Sequence, residues 1–156
     1  MKKAFRNMSL MLAFAIIAAL GLLAYIRLAP SDPAVWHISP ATAAAAGQGA
    51  CVDAITTQRN GARVACLSAD KPETLLSRLD QIALASPRTT RLAGTPQSGR
   101  ITWVTRTALM GFPDYTTAEA NQSANGTRLD IYARQRFGAS DLGVNAARLT
   151  AWLKDF

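Results

Sequence analysis

The chain has 156 residues, of which 49% are hydrophobic, 17% charged and 7% aromatic. That suits one small domain with an appendage and excludes a large two-domain enzyme, a solenoid or wholesale disorder. The net charge of +7 suggests nucleic acid at first, but Lys2, Lys3, Arg6 and Arg27 flank a single apolar run, and the remainder carries 13 basic against 10 acidic side chains, or +3. The basicity therefore belongs mainly to a targeting segment, and no nucleic-acid partner is expected.

Met8 to Ile26 reads MSLMLAFAIIAALGLLAYI, 19 residues without a charge. As a helix it would span roughly 28 Å, close to the ~30 Å hydrocarbon core of a bilayer. The basic flank at Lys2, Lys3 and Arg6, against Arg27 alone on the other side, places the N-terminus in the cytoplasm, and Tyr25 falls at the far interface. The organisation expected is a tail over 1–7, a transmembrane anchor over 8–27 and an exported remainder. A cleaved signal peptide is the competing reading. It would have to cut inside the apolar run at Ala19-Leu20-Gly21, or too far downstream at Ala41-Thr42-Ala43. Both readings export the domain.

Residues 28–62 read as a Pro/Ala/Gly-rich stalk. Pro30, Pro33 and Pro40 interrupt helix, and ATAAAAGQGA over 41–50 shows neither strand alternation nor an amphipathic face. Val35 and Trp36 either rest on the membrane interface or cap the domain. Cys51 and Cys66 can pair in an oxidising compartment. A two-residue turn at Asn60-Gly61 would set Cys66 opposite Ile55, so direct cross-strand pairing is not predicted and the disulfide stays open. No metal site is expected, because two distant thiols and one histidine, His37, do not form a paired ligand set.

The folded domain is expected over 63–156. Arg63–Leu67 is a strand candidate, followed by a helix with capping-box spacing at Asp70 and Glu73, Pro72 in its first turn, and an apolar stripe of Leu75, Leu76, Leu79, Ile82 and Ala83. Ser86-Pro87 ends it. Thr89–Ala93 and Ile101–Leu109 are strand candidates, and Asn125-Gly126 signals a type I′ hairpin turn. The returning strand alternates, with Leu129, Ile131, Ala133 and Phe137 on one face and Arg128, Asp130, Tyr132, Arg134 and Arg136 on the other. A last helix, capped by Asn145, carries Val144, Leu149, Trp152, Leu153 and Phe156. The fold class expected is α+β: a twisted antiparallel sheet of about four to five strands with two helices on one face, preceded by the transmembrane helix.

ITWVTRT (101–107), GFPDYTT (111–117) and RFGASDLGVNAARL (136–149), with RLAPSDPAVWH (27–37) ahead of them, resemble the blocks of a family of small bacterial membrane-anchored or exported proteins, the domain of unknown function numbered fourteen-ninety-nine. The resemblance covers roughly residues 63–156. In the family's usual form the middle block reads more like TRSRLFGFPDY, from which Thr107 and Leu109-Met110 depart. The resemblance implies no activity, cofactor or catalytic residue.

Three constellations bear on function. Nucleophilic catalysis lacks its parts: there is no G-x-S-x-G elbow or Walker loop, and His37 lies in the stalk. Asp114 and Asp141, weak catalytic candidates, could act as an acid–base pair, but FPDY and SDLG are also contexts in which Asp accepts backbone N–H bonds. The sharpest pattern is Arg128, Tyr132, Arg134 and Arg136 on one strand face, which Arg100 and Arg106 can join from a neighbouring strand. Guanidinium groups favour bidentate recognition of carboxylate or phosphate, whereas the bland alternative is a solvated face paired with its own acids. The expectation is a single-pass protein of the bacterial inner membrane with a periplasmic domain, non-enzymatic and without a cofactor. It would bind an anionic small molecule, a lipid head group or an acidic partner. A structural role in an envelope complex is the alternative, and an enzyme using the loop carboxylates is the third reading.

Overall fold

In strands β2 (Gly61–Ser68), β4 (Arg100–Arg106), β5 (Pro113–Ser123) and β6 (Gly126–Gln135), apolar residues at every second position drive one face into a shared core. The computed structural model describes residues 2–41, 45–154 and 156; the middle of the Ala-rich run and part of the Ala41-Thr42-Ala43 site lie outside them. With β1 (Thr56–Gln58) and β3 (Thr89–Thr95) the strands form one open antiparallel sheet in the order β1-β2-β6-β5-β4-β3. The fold is α+β as expected, with six strands instead of four to five. The additional strand is β1, which lies inside the segment read as a stalk and pairs Thr56 with Arg63.

Two helices, α3 (Pro72–Ala85) and α4 (Val144–Leu153), cover one face. Leu76, Leu79 and Ala83 of α3, with Leu149, Trp152 and Leu153 of α4, pack on Val64, Cys66, Ile101, Trp103, Leu129 and Ile131 of the sheet. Trp103 and Trp152 meet edge to face with ring centroids 5.7 Å apart. Their indole N–H groups, which would be costly to bury unpaired, donate to Asp80 Oδ1 (2.8 Å) and Ser86 Oγ (2.7 Å).

Local details depart from expectation. The capping box at Asp70 is not formed: Lys71 precedes Pro72 at the start of α3 without a side-chain cap, and Asp70 pairs with Arg78 instead. The cap of α4 comes from Asp141, not Asn145, since the Asp141 carboxylate accepts from the backbone N–H groups of Gly143 and Asn145, each at 3.1 Å. Both hairpin turns sit one residue earlier than expected. Ser123 pairs with Gly126 around Ala124-Asn125, and Gln58 pairs with Gly61 around Arg59-Asn60. Gly126 opens β6 at φ 116°, so glycine serves the first strand position instead of the turn centre.

The cysteines are joined. Cys51 lies in a 3₁₀ turn, Cys51–Ala54, that folds the chain back over β2, bringing its Cα within 5.3 Å of that of Cys66. This is not a cross-strand pair, since Cys51 precedes β1.

The long N-terminal helix α1 (Lys2–Leu28) contains the stretch Phe5–Leu28, with a mean hydropathy of 2.4 and length enough to cross a membrane. Nearly all of it is exposed. Only its last residues meet the domain: Ile26 is buried, and Tyr25 lies edge-on to Phe137 with centroids 6.2 Å apart.

Replacing both Cys51 and Cys66 with serine reopens a loop of 15 residues in the unfolded chain. The expected loss of stability is about 3 kcal/mol, read by denaturant unfolding of the full chain. Wild-type stability in the double variant would show that the link constrains nothing.

Candidate functional site

The face of the sheet opposite α3 and α4 is polar in sequence yet largely buried. Register places Arg100, Thr102, Val104 and Arg106 of β4 beside Glu119, Thr117, Tyr115 and Pro113 of β5, and Asp130, Tyr132 and Arg134 of β6 beyond them. The expected grouping of arginines is there, but it is not an open surface. Residues 29–40, read from sequence as part of a loose stalk, lie across it as a strap.

The strap is bonded along its length. Arg136 donates to the Pro30 carbonyl (2.6 Å), and Ser31 Oγ lies 2.9 Å from the Tyr115 hydroxyl. A single helical turn, α2 (Pro33–Trp36), is capped by Asp32, which accepts from the Ala34 N–H at 2.9 Å. Trp36 then stacks flat on Tyr115, with centroids 3.8 Å apart and planes 9° from parallel. Its carbonyl accepts from Arg134 Nη2 at 2.6 Å and from Thr117 Oγ1 at 3.3 Å. Beyond it, His37 Nδ1 meets Thr102 Oγ1 at 2.9 Å, Ser39 bonds Glu119, and the Pro40 carbonyl accepts from Arg63 at 2.9 Å.

Each candidate residue on this face has an intramolecular role. Arg134 is 7% exposed, and its guanidinium lies near both the Trp36 ring (5.4 Å) and the Tyr132 ring (4.9 Å). Burial pulls its pKa down from the usual arginine range, so carbonyl and aromatic partners must hold the charge in place of water. Tyr132 is sandwiched further by Arg63, 3.6 Å from its centroid. Arg128 grips Asp130 through two bonds of 2.7 and 2.8 Å, and Arg100 pairs with Glu119 at 2.7 Å. Arg106 donates to Gly111 O at 3.0 Å. The arginine pattern was legible in the sequence; its occupant was not. Trp36, His37 and Ser39 carry the contact from the strap and Tyr115 receives it on β5; of the two readings of Trp36 from sequence, it caps the domain.

The two carboxylates converge elsewhere. Asp114, at the start of β5, accepts from Arg148 Nη2 at 2.9 Å; Arg148 Nη1 reaches Asn145 Oδ1 at 2.5 Å, and Asn145 Nδ2 donates to Asp141 at 2.9 Å. Both acids are buried. Burial is the leading influence on Asp114 and raises its pKa above the ordinary 3.8, with Arg148 pulling the other way and the Asp141 charge reinforcing the rise. The lone pairs of both acids are directed at Arg148, Asn145 and backbone N–H groups, so this network ties β5 to α4. Among the described residues no group of three His, Cys, Asp or Glu side chains could hold a metal ion.

A family profile described as a protein of unknown function (DUF1499) matches residues 37–156. The chain belongs to this family. The DUF1499 match begins at His37, inside the strap, so the family domain takes in the end of the strap, the Cys51 turn and β1, all of which lie within the segment expected as a stalk. No curated protein matches the chain.

Two outcomes follow for this DUF1499 domain. Arg134→Met leaves the Trp36 carbonyl short of its strongest donor, and stability is expected to fall by roughly 1–3 kcal/mol with faster proteolysis within 29–40. Unchanged stability and cleavage would contradict the strap's role. Asp114 binds its proton more tightly folded than unfolded, so this residue makes the fold less stable as pH rises from 3.8 through its raised value. Asp114→Asn should lack that slope in denaturant titrations across this window; equal slopes would remove the assignment.

Proposed function

We propose that this DUF1499 protein is a single-pass, non-enzymatic accessory module. In this reading α1 anchors it in the bacterial inner membrane with the N-terminus in the cytoplasm, and the α+β domain is held at a fixed attitude on the periplasmic surface. The observation that carries the reading is the strap: residues 29–40, which join α1 to the domain, are bonded to β2, β4, β5 and β6. Residues 29–40 act as a bracket, not a flexible tether.

Other features support the same reading. Phe5–Leu28 combines length, hydropathy and exposure that suit lipid better than water. Lys3 and Arg6 precede the uncharged run Met8–Ile26, in keeping with the positive-inside bias. The Cys51–Cys66 disulfide fits an oxidising compartment. The saturated Asp114–Arg148–Asn145–Asp141 network favours a structural over an acid–base role.

Alkaline extraction of membranes and protease treatment of spheroplasts test the proposal together. The full-length chain should stay in the membrane pellet, and external protease should reach the domain while an N-terminal tag remains protected. Release of a shortened chain into the soluble fraction would show that α1 is a cleaved signal, and protection of the domain would reverse the topology.

A further inference from the structure

Where α1 joins the domain, three arginines face a cavity of about 410 Å³. Arg27 comes from the last turn of α1, Arg88 from the turn before β3 and Arg106 from the end of β4; Thr90, Thr107 and Gly111 complete the wall. Each guanidinium is steered by a backbone carbonyl. Arg27 Nη2 donates to Leu109 O (2.7 Å), Arg88 Nε to Arg106 O (3.1 Å) and Arg106 to Gly111 O through Nη1 (3.0 Å) and to Ala29 O through Nη2 (3.5 Å). Those bonds fix direction and leave further N–H groups on each fork. Among the described residues no carboxylate forms a salt bridge with any of the three, whereas Arg78, Arg91, Arg100, Arg128 and Arg148 all have one.

Two backbone features shape this corner. Arg88 sits at φ 59°, a left-handed conformation that is unfavourable for a non-glycine residue. Gly111 has φ 72°, and a Cβ there would come within 2.9 Å of Arg27 Cγ, so glycine is what lets the Arg27 stem lie against the loop. The fold thus tolerates strain and gives up a side chain to bring cations together at one point.

The surroundings are apolar. Leu28 and Leu109 are 80% and 81% exposed, and Met110 is also exposed. Uncompensated guanidinium groups beside projecting apolar side chains, at the end of a helix long enough to span a bilayer, match the chemistry of the interface between phosphate groups and acyl chains. Arginine forks bind phosphate oxygens in pairs, and three converging forks call for a net negative ligand.

The geometry points to a binding site for the phosphate of an anionic phospholipid at Arg27, Arg88 and Arg106, with Leu28, Leu109 and Met110 in contact with its acyl chains. This rests on the reading that α1 spans the membrane and deepens it. Of the arginines proposed from sequence, Arg128 is paired with Asp130 and Arg134 and Arg136 are bonded to the strap, whereas Arg106, also proposed from sequence, meets Arg27 and Arg88 at this cavity.

The test is native mass spectrometry of the full chain in detergent with phosphatidylglycerol, with phosphatidylcholine, or with inorganic phosphate. Phosphatidylglycerol should be retained in preference to phosphatidylcholine, and retention should fall about tenfold or more in the Arg27→Gln/Arg88→Gln double variant. The control Lys71→Gln/Lys154→Gln, which removes the same charge elsewhere, should retain it. Equal retention by both double variants would overturn the site, and displacement of the lipid by equimolar inorganic phosphate would overturn the lipid as its occupant. Should the Arg27/Arg88 variant fold poorly, photo-crosslinking of the wild-type chain with a head-group-labelled phosphatidylglycerol decides. Crosslinks at residues 106–111 support the site, and crosslinks confined to other segments overturn it. Failure of the membrane reading would show separately, as release of the wild-type chain on alkaline extraction.

Discussion

A guanidinium buried on a sheet needs partners that replace water, and Arg134 finds them in residues nearly a hundred positions away. Its bond to the Trp36 carbonyl, with Trp36 stacked on Tyr115, closes the second face of the sheet. Without the strap, Thr102, Tyr115 and Thr117, now fully buried, would lie under solvent, and the sheet would have one dry side only. The strap makes this a three-layer arrangement: helices, sheet, and a bonded polar cover continuous with the long apolar helix α1.

The opposite side of the sheet follows ordinary core logic, and its two buried indoles are both paired. Trp103 and Trp152 each find one acceptor, at Asp80 and Ser86. At the α4 end, Asp141 caps the helix and passes the connection through Asn145 and Arg148 to Asp114 on β5. Such a buried network contributes directional preference more than raw stability, since its charges must be desolvated to form it. It fixes how α4 meets the sheet, as the strap fixes how α1 does.

What could be read in advance follows from the range of each signal. Alternation along β6 and the stripe of α3 are local and repeat over several residues, so element type and the faces of Leu129, Ile131 and Arg134 were legible. Turn positions rest on one dipeptide, and both hairpins moved by one residue, with Gly126 and Gly61 opening strands instead of centring turns. The cap of α3 failed because Asp70 had a better partner in Arg78. The strap and β1 were missed for a different reason. Three prolines and an alanine run look like a linker because they carry no periodicity, and the bonds that hold the strap to the sheet are with residues far along the chain. For the same reason the shared face of the arginines was legible while the strap that lies across it was not.

The account turns on the segment between α1 and the domain being rigid. The chain has three tryptophans, Trp36, Trp103 and Trp152, so the three indole N–H signals can be followed individually in the full chain. The most direct measurement is the heteronuclear NOE of these indoles, which reports picosecond to nanosecond motion. A value for Trp36 equal to those of the core pair Trp103 and Trp152 is what a bonded strap predicts. A markedly lower value at Trp36 alone would mean a loose tether, and the bracket between helix and domain would not exist.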